Sequence, residues 1–527
     1  MNVAELAEQS VERLGERMIL NFEGERFTNV QFLHWSRRLQ RAFSRLGLCR
    51  GNVAALCMAN HPLVFSVFQG IFRTGGTAVP VMFLCAVPEL RYIFSDTGAM
   101  GVVTDDFSLP RVREAVQDLR HIQWIVVHGG ENRPGASPPE YRLESLLEED
   151  PLESLPRMDD EDVAIMIYTA GTTGKPKGAM LTHSNLVASA EAANEAAEFD
   201  RWEGPLIGMS AMPMAHIFGV GVMNAGYLVP EEIEGYSVQM AWFETERFMQ
   251  LIQQNRCTSV VVVPTMLALI LSHPKLSQYD LSSLKQVVSG AAPLPQEIAR
   301  AFSERFGCSI REIYGQTEST GIGSANRLSK PYRPGSAGQA YFNTELRVFD
   351  DNDRPVPPGV RGEIVLRGPV VMKGYHNRPR ETAETLRGGW LHTGDIGTLD
   401  EDGYLYISDR KKDLIIRGGE NIYPGQLEEI LYNHRGVREA AVVGSPDPIY
   451  GEKVVAFVVV KENVRLAEKE LTDFMRAQLS SFKVPSKFYF IDTLPKSLVG
   501  KVLKRELRER AAREEEITVE CKGDQVR

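Results

Sequence analysis

Short β-branched apolar runs alternate with longer helical segments through most of the chain. This alternation restricts the fold more than any other feature of the sequence. Runs at 53–57, 101–104, 124–127, 164–168, 259–263 and 286–289 are continuously apolar, as strands covered on both faces must be. Between them lie helical patterns at 29–46, 64–74, 244–254 and 296–306. Buried strands alternating with helices predict α/β layers built on largely parallel sheets. From about 338 to 407 the texture changes: short strands at 346–349, 363–367 and 404–407 sit between Gly, Pro and Asp turns, which predicts a β-rich subdomain. At 527 residues the chain exceeds what one core organises. A boundary falls at 408–412, where the charged stretch DRKKDLII turns apolar. Beyond it a helix at 425–433, strands at 437–444 and 453–460, a helix at 467–479 and a strand at 487–490 predict a small α+β domain. After Lys504, Arg and Glu alternate, which predicts a solvated helix.

Charge and cysteine usage exclude several classes. The 59 basic residues against 69 acidic ones give a net charge of −10, without the basic footprint that nucleic-acid binding requires. The same balance disfavours electrostatic docking on anionic lipid, although it is compatible with peripheral membrane contact. The six cysteines stand singly, so neither a disulfide framework nor a zinc site is expected, and a reducing cytoplasm is the simplest compartment. The N-terminus is polar and mixed in charge, unlike a signal peptide. The most apolar stretch, 257–271, contains Pro264 and is too short to cross a bilayer.

The segment at 168–178 reads YTAGTTGKPKG and follows an apolar strand. Gly171, Gly174 and Gly178 let the backbone turn tightly and bring amide groups close to a ligand. Thr169, Thr172 and Thr173 add hydroxyls, and Lys175 and Lys177 add point charges suited to phosphate. It is not the Walker pattern, since Gly-Lys-Ser/Thr is missing. Taken alone, such a loop also fits a surface hairpin. Other motifs follow in order: PMAHIFG at 213–219, SGAAPLP at 289–295, YGQTES at 314–319, TGD at 393–395, DRKKDLIIRGGENIYP at 409–424 and PKSLVGK at 495–501. Together they resemble the acyl-adenylate-forming superfamily of acyl-CoA synthetases, peptide-synthetase adenylation domains and luciferases, from about Asn29 to Glu509.

The resemblance implies a two-step reaction. A carboxylate attacks the α-phosphorus of ATP to give acyl-AMP and pyrophosphate, and a thiol, usually that of CoA, then displaces AMP. It also implies a large N-terminal domain over 1–409, a hinge at 410–412 and a mobile C-terminal domain over 413–527. By the same resemblance Glu318 and Thr169 hold Mg²⁺, Thr317 contacts the α-phosphate and Tyr314 stacks on adenine. Gly290, Ala291, Ala292, Glu312 and Gly315 complete the nucleotide site. Asp395 accepts from the ribose hydroxyls beside Arg410. Lys501 reaches the oxygen bridging acyl group and phosphate. The segment before its Gly-Lys reads Leu498-Val499, where small residues are common in the family. Lys412 matches the hinge position. Gly418 and Gly419 match the channel for the pantetheine arm of CoA, though paired glycines also fit a plain hairpin turn.

His216 resembles the residue bordering the acyl pocket. No carboxylate stands beside it to pair an amino acid's ammonium. Phe218, Gly219, Gly315, Gly321 and Ile322, with further small residues, suggest space for an apolar acid. The expectation is a CoA ligase for a medium- or long-chain fatty acid. An aryl-CoA ligase and an enzyme loading a carrier-protein thiol are the alternatives. An inactive scaffold would be signalled by loss of Lys501, Glu318 or the loop glycines, and all are present.

Overall fold

The computed structural model describes residues 2–169, 175–462, 464–496 and 500–523. Two large sheets dominate the N-terminal part. The first has eight strands, with Thr77–Pro80, Val53–Cys57, Gly101–Asp105 and Trp124–His128 running parallel at its centre. Strand Val163–Thr169 joins this set in parallel and then turns back antiparallel into Lys177–Thr182, with Gly374–Tyr375 at the edge. The second sheet has nine strands and is parallel from Ser309–Tyr314 through Gln286–Ser289, Ser259–Val262, Leu206–Ser210 and Gly235–Gln239 to Met18–Phe22.

Helices fill the space between them. Helix His183–Ala197 is rich in alanine and buries two faces. Leu186 and Ala190 pack with the first sheet, while Ala188, Ala192 and Ala196 pack with Ile322 and Ala325 of the second. Small side chains on both faces allow such close seating. Asn60 stitches the sheets together at the carboxyl ends of their strands. Its amide donates to the Met212 carbonyl at 3.0 Å and accepts from the Met214 N–H at 2.9 Å. This edge also carries Thr169, His216, Gly290 and Tyr314.

The β-rich subdomain is a four-stranded antiparallel sheet of Glu345–Phe349, Gly362–Arg367, Leu391–Leu399 and Leu405–Arg410. Its last strand runs three residues past the expected end at 407 and leads into a 3₁₀ turn, Lys411–Asp413. The smaller C-terminal domain is an α+β layer around the long strands Val437–Asp447 and Gly451–Val460. The chain therefore has the expected mixed α/β class.

One expectation needs correction. Beyond Lys504 the chain is helical, but Leu507 and Ala511 are fully buried against the sheet with Val455 and Phe457. Spaced four apart, these two residues make an apolar stripe that the surrounding Arg and Glu obscure. The polar N-terminus forms helix Glu5–Leu14, which the charge pattern did not suggest. Its Glu8 pairs at 2.6 Å with Arg73, a fully buried guanidinium that also donates to the Gln40 side-chain oxygen at 2.9 Å. Among the described residues no helix is long and apolar enough to cross a membrane.

Candidate active site

A cavity of about 830 Å³ opens between the N-terminal sheets and the C-terminal domain. Strand register builds its polar wall: Asp395 and Arg410 lie directly opposite each other on adjacent antiparallel strands. Arg410 Nε sits 2.9 Å from Asp395 Oδ1. Tyr314, at the end of its strand in the nine-stranded sheet, donates its hydroxyl to Asp395 Oδ2 at 2.8 Å. Asp395 is only 4% exposed, so both partners offset the cost of burying its charge. Burial and the Asp395 charge hold the Tyr314 phenol well above its ordinary range, which keeps it a donor.

The opposite wall presents unsatisfied polar atoms. Glu312 Oε1 and Ser289 Oγ line the cavity and are buried without a hydrogen-bond partner among the described residues. Burial pushes the Glu312 carboxyl up to about 8. Buried polar groups rarely go unpaired, so the pair marks a place where a ligand's donors would fit. Beside them Ala291 is left-handed at φ 68°, and a Cβ on Gly290 would come within 2.7 Å of Ile313 Cγ1. A non-glycine residue held in that region is strained, and here the strain lies in the cavity wall. These features suit a nucleoside: acceptors for an amino group on one side and a carboxylate for vicinal hydroxyls on the other.

Gly315 is required by close approach, since a Cβ there would lie 2.2 Å from the Gly321 carbonyl oxygen. The YGQTESTG segment thereby closes on itself. It buries Thr317 and Glu318 in a single 3₁₀ turn. Glu318 is 9% exposed, and its Oε1 accepts the Tyr375 hydroxyl at 2.7 Å. Thr169 ends its strand opposite Lys177, and its Oγ1 lies 3.5 Å from the Lys177 carbonyl. Lys175 Nζ sits over the Tyr92 ring, and Lys177 Nζ over the Tyr375 ring. Strand Gly374–Tyr375 pairs with the strand that begins at Lys177, so Tyr375 links the Glu318 turn to the loop stem. Gly171, Thr172, Thr173 and Gly174 lie outside the described residues. Among the described residues no cluster of three or more His, Cys, Asp or Glu could hold a metal. One carboxylate with one hydroxyl suits a cation that keeps most of its water.

The C-terminal domain contributes Lys501. The Gly500 carbonyl accepts from Thr265 Oγ1 at 3.0 Å, which ties this segment to helix Pro264–Leu271 of the nine-stranded sheet. Lys501 lines the cavity and contacts its solvent, yet the enclosing walls and Arg410 push its ammonium down to about 8, with Asp395 opposing. Lys412 is pushed down as well, by burial and then by Arg410.

His216 caps helix Ile217–Gly226, with Nδ1 accepting the Phe218 N–H at 3.2 Å. Burial first, and the nearby Lys501 charge second, push it down to about 4, so it is neutral at physiological pH. Gly219 is forced by packing, because a Cβ would lie 2.4 Å from the Pro213 carbonyl oxygen. Two residues on, Gly221 faces open space, flanked by the half-buried Val222 and Ala225. The Phe218 side chain packs on the nine-stranded sheet's core. Ile322 spends its side chain in the cluster around helix His183–Ala197. Gly321 lies against Ile217. Gly418 and Gly419 form the two-residue turn between strands Ile415–Arg417 and Glu420–Ile422, at φ 59° and 86°. Neither lines the cavity. Thr265 and Tyr375 carried no sequence signal, since each acts through one hydroxyl set by tertiary packing.

A nucleotide-shaped cleft with a lysine delivered from a second domain defines an adenylate-handling enzyme. Residues 7–376 match the family model of the AMP-binding enzymes, and residues 426–501 match that of the AMP-binding enzyme C-terminal domain. The chain belongs to this family. It is 34% identical to the long-chain-fatty-acid–CoA ligase of Bacillus subtilis (strain 168), over 95% of this chain and 93% of that one. It is 37% identical to a feruloyl-CoA synthase of Amycolatopsis sp, over 92% and 94%. Among solved structures it resembles the anthranilate CoA ligase AuaEII in complex with anthranoyl-AMP, at 26% identity, with a TM-score of 0.88 and 97% of each chain covered.

The His216–Lys501 proximity generates a measurable expectation. Histidine-labelled protein should show three imidazoles titrating near pH 4, those of His61, His183 and His216, the last assigned by its loss in His216→Gln. In Lys501→Ala the His216 midpoint should rise, because a neighbouring positive charge that disfavours the imidazolium has gone. An unchanged midpoint would mean that Lys501 does not face His216 in solution.

Proposed function

We propose that the protein is an AMP-forming acyl-CoA ligase. It joins an apolar carboxylic acid to the α-phosphate of ATP and then passes the acyl group to CoA. The observation that carries this reading is the delivery of Lys501 into the cavity that holds Asp395, Arg410 and Tyr314. The acid is already ionised at neutral pH, so the first step needs no general base. Its carboxylate oxygen forms a bond to the α-phosphorus while the bond to the α–β bridging oxygen breaks, and pyrophosphate leaves with that electron pair. The obstacle is an anion approaching an anion, and the remedy is fixed positive charge.

The roles follow from position. Asp395 and Arg410 hold the ribose. Tyr314 and the Gly290-Ala291-Ala292 turn hold adenine, with Glu312 and Ser289 as acceptors. Thr169, Lys175, Lys177 and the loop residues Gly171, Thr172, Thr173 and Gly174 receive the phosphates, and Thr317 takes the α-phosphate. Thr169 and Glu318 would hold Mg²⁺, which when bound neutralises phosphate charge. Lys501 stabilises the oxygen between acyl group and phosphorus. His216, held neutral, borders the acid without adding charge.

The domain division at 410–412 belongs to the same reading. Lys501 is at the cavity while Gly418 and Gly419 stand away from it, as in an arrangement for acid activation. CoA transfer then calls for the domain of residues 413–527 to turn about Lys412 and bring the glycine pair inward. The acid is a medium- or long-chain fatty acid. The absence of a carboxylate beside His216, the open space at Gly221 and the likeness to the Bacillus ligase support this. The 37% identity to a feruloyl-CoA synthase favours an aryl acid as the second reading.

Three outcomes are expected. Lys501→Ala should lower acid-dependent pyrophosphate release by about 10²–10³-fold, the scale of one lost transition-state stabiliser. It should still form thioester from supplied acyl-AMP. In the wild type kcat/KM for ATP, which reports the ligand-free enzyme, should fall as pH rises through about 8, where the ammonium loses its proton, and this alkaline limb should vanish in the variant. Near-wild-type release by Lys501→Ala removes the assignment.

A panel of C2–C18 and aromatic acids, assayed with and without CoA, decides the substrate. Fatty acids should lead. An aromatic acid that exceeds every fatty acid at least tenfold in kcat/KM would establish the aryl reading. Lys412→Pro, which fixes φ near −65° and removes an N–H, should keep acyl-AMP formation and slow CoA transfer severely. Equal effects on both half-reactions in single turnover would place the hinge elsewhere.

A further inference from the structure

The stem of the phosphate loop is anchored from beneath by side chains on two other parts of the chain. Tyr92 and Asp96 stand four residues apart on helix Val87–Thr97 and so share one face. The Tyr92 hydroxyl donates to the Pro176 carbonyl at 3.0 Å and accepts from Arg378 Nη2 at 3.0 Å. Asp96 Oδ2 accepts the Tyr168 hydroxyl at 2.7 Å, and Oδ1 accepts from Arg378 Nη2 at 3.3 Å. Tyr168 and Pro176 bracket the loop on its two sides. One helix and one guanidinium therefore hold both ends of the hairpin.

The backbone repeats the arrangement. The His376 N–H donates to the Gly178 carbonyl at 2.8 Å, and its ring Nε2 lies 3.1 Å from the Asp96 carbonyl. Arg378 and Asp96 are largely shielded, at 27% and 14% side-chain exposure, so their pairing is screened less than a surface ion pair. The Tyr92 ring, edge-on to Tyr168, also underlies the Lys175 ammonium at 5.6 Å. Arg378 follows Tyr375 by three residues, and Tyr375 fixes the Glu318 carboxylate. One short segment thus fixes both the loop stem and the candidate metal-holding carboxylate.

Groups held in place before a ligand arrives spare the ordering cost that weakens affinity. We propose that Tyr92, Asp96 and Arg378 are positioning residues. They hold Thr169, Lys175 and Lys177 where a triphosphate is received, and so set the affinity for the β- and γ-phosphates of ATP. This rests on the nucleotide reading of the cavity.

The test is calorimetric binding of ATP with Mg²⁺, and separately of AMP, to the full chain without acid. Asp96→Asn keeps the shape and an acceptor for Tyr168 but removes the charge that holds Arg378. Arg378→Lys keeps a charge but removes the planar fork. Each should weaken ATP by about tenfold, the scale on which supporting contacts act. AMP affinity should stay within about twofold, and the melting temperature within about 3 °C. Tyr92→Phe, which removes one hydroxyl and leaves the ring, is the milder variant should the others fold poorly, and it should weaken ATP alone. Unchanged ATP affinity in the folded variants, or equal losses for ATP and AMP, would overturn the proposal. A wild type that binds ATP yet releases no pyrophosphate with any acid would refute the ligase reading and leave the anchor standing.

Discussion

The Asp395 carboxylate, buried between Tyr314 and Arg410, is the constraint on which the rest of the site depends. A carboxylate at 4% exposure is tolerated only with close, well-aimed partners. Its partners come from different units: Tyr314 from the nine-stranded sheet and Arg410 from the last strand of the β-rich subdomain. Satisfying one charge therefore fixes how two sheets meet. Arg410 also ends the strand from which the chain passes to the C-terminal domain, so the same contact sets the starting point of that domain. Asp409, one residue earlier, accepts the Gly425 N–H at 2.7 Å and secures the first helix beyond the boundary.

Around this point Arg410, Lys412 and Lys501 lie close together. Burial first, then Arg410 and Lys412, push the Lys501 ammonium down, and Asp395 and Asp413 oppose them. Asp413 is held by Arg508 at 2.6 Å, and Lys504 is held by Glu428 at 2.7 Å. Like charges enclosed together repel more strongly than in water. A polyanion entering the cavity relieves that repulsion and raises the affinity of Lys501 for its proton. The arrangement is suited to receiving phosphate.

The sequence made the strands legible because parallel strands buried on both faces read as unbroken apolar runs. Runs at 53–57 and 286–289 match observed strands end for end. The site's polar residues were legible as motifs, since close backbone approaches such as Gly315 against Gly321 leave no freedom in residue type. Other features had no local signature. Leu507 and Ala511 are two apolar residues in a charged helix, and only the sheet beneath them makes them a packing stripe. Ile322 sits among small residues that suggested a pocket wall, but its side chain turns to the alanine face of helix His183–Ala197. Thr265, Tyr375, Tyr92 and Asp96 act through polar atoms whose partners lie far off in sequence, and no spacing rule reports that.

How the C-terminal domain is held bears directly on the proposed turn about Lys412. Within that domain the ties are many: two long paired strands, a closed apolar core and ion pairs such as Lys504–Glu428 and Lys496–Glu439. Across the cleft, the Thr265 hydroxyl donates to the Gly500 carbonyl, a neutral hydrogen bond between the nine-stranded sheet's helix and the segment that carries Lys501. Such a bond contributes about 1 kcal/mol net. A difference of about 1.4 kcal/mol changes a two-state ratio tenfold. In the proposed reaction the loss of pyrophosphate changes the charge of the cavity on an energy scale comparable to that one hydrogen bond. On the proposed turn the domain travels as a unit held by its own paired strands and apolar core, and the ligand's charge contributes to which face meets the acid.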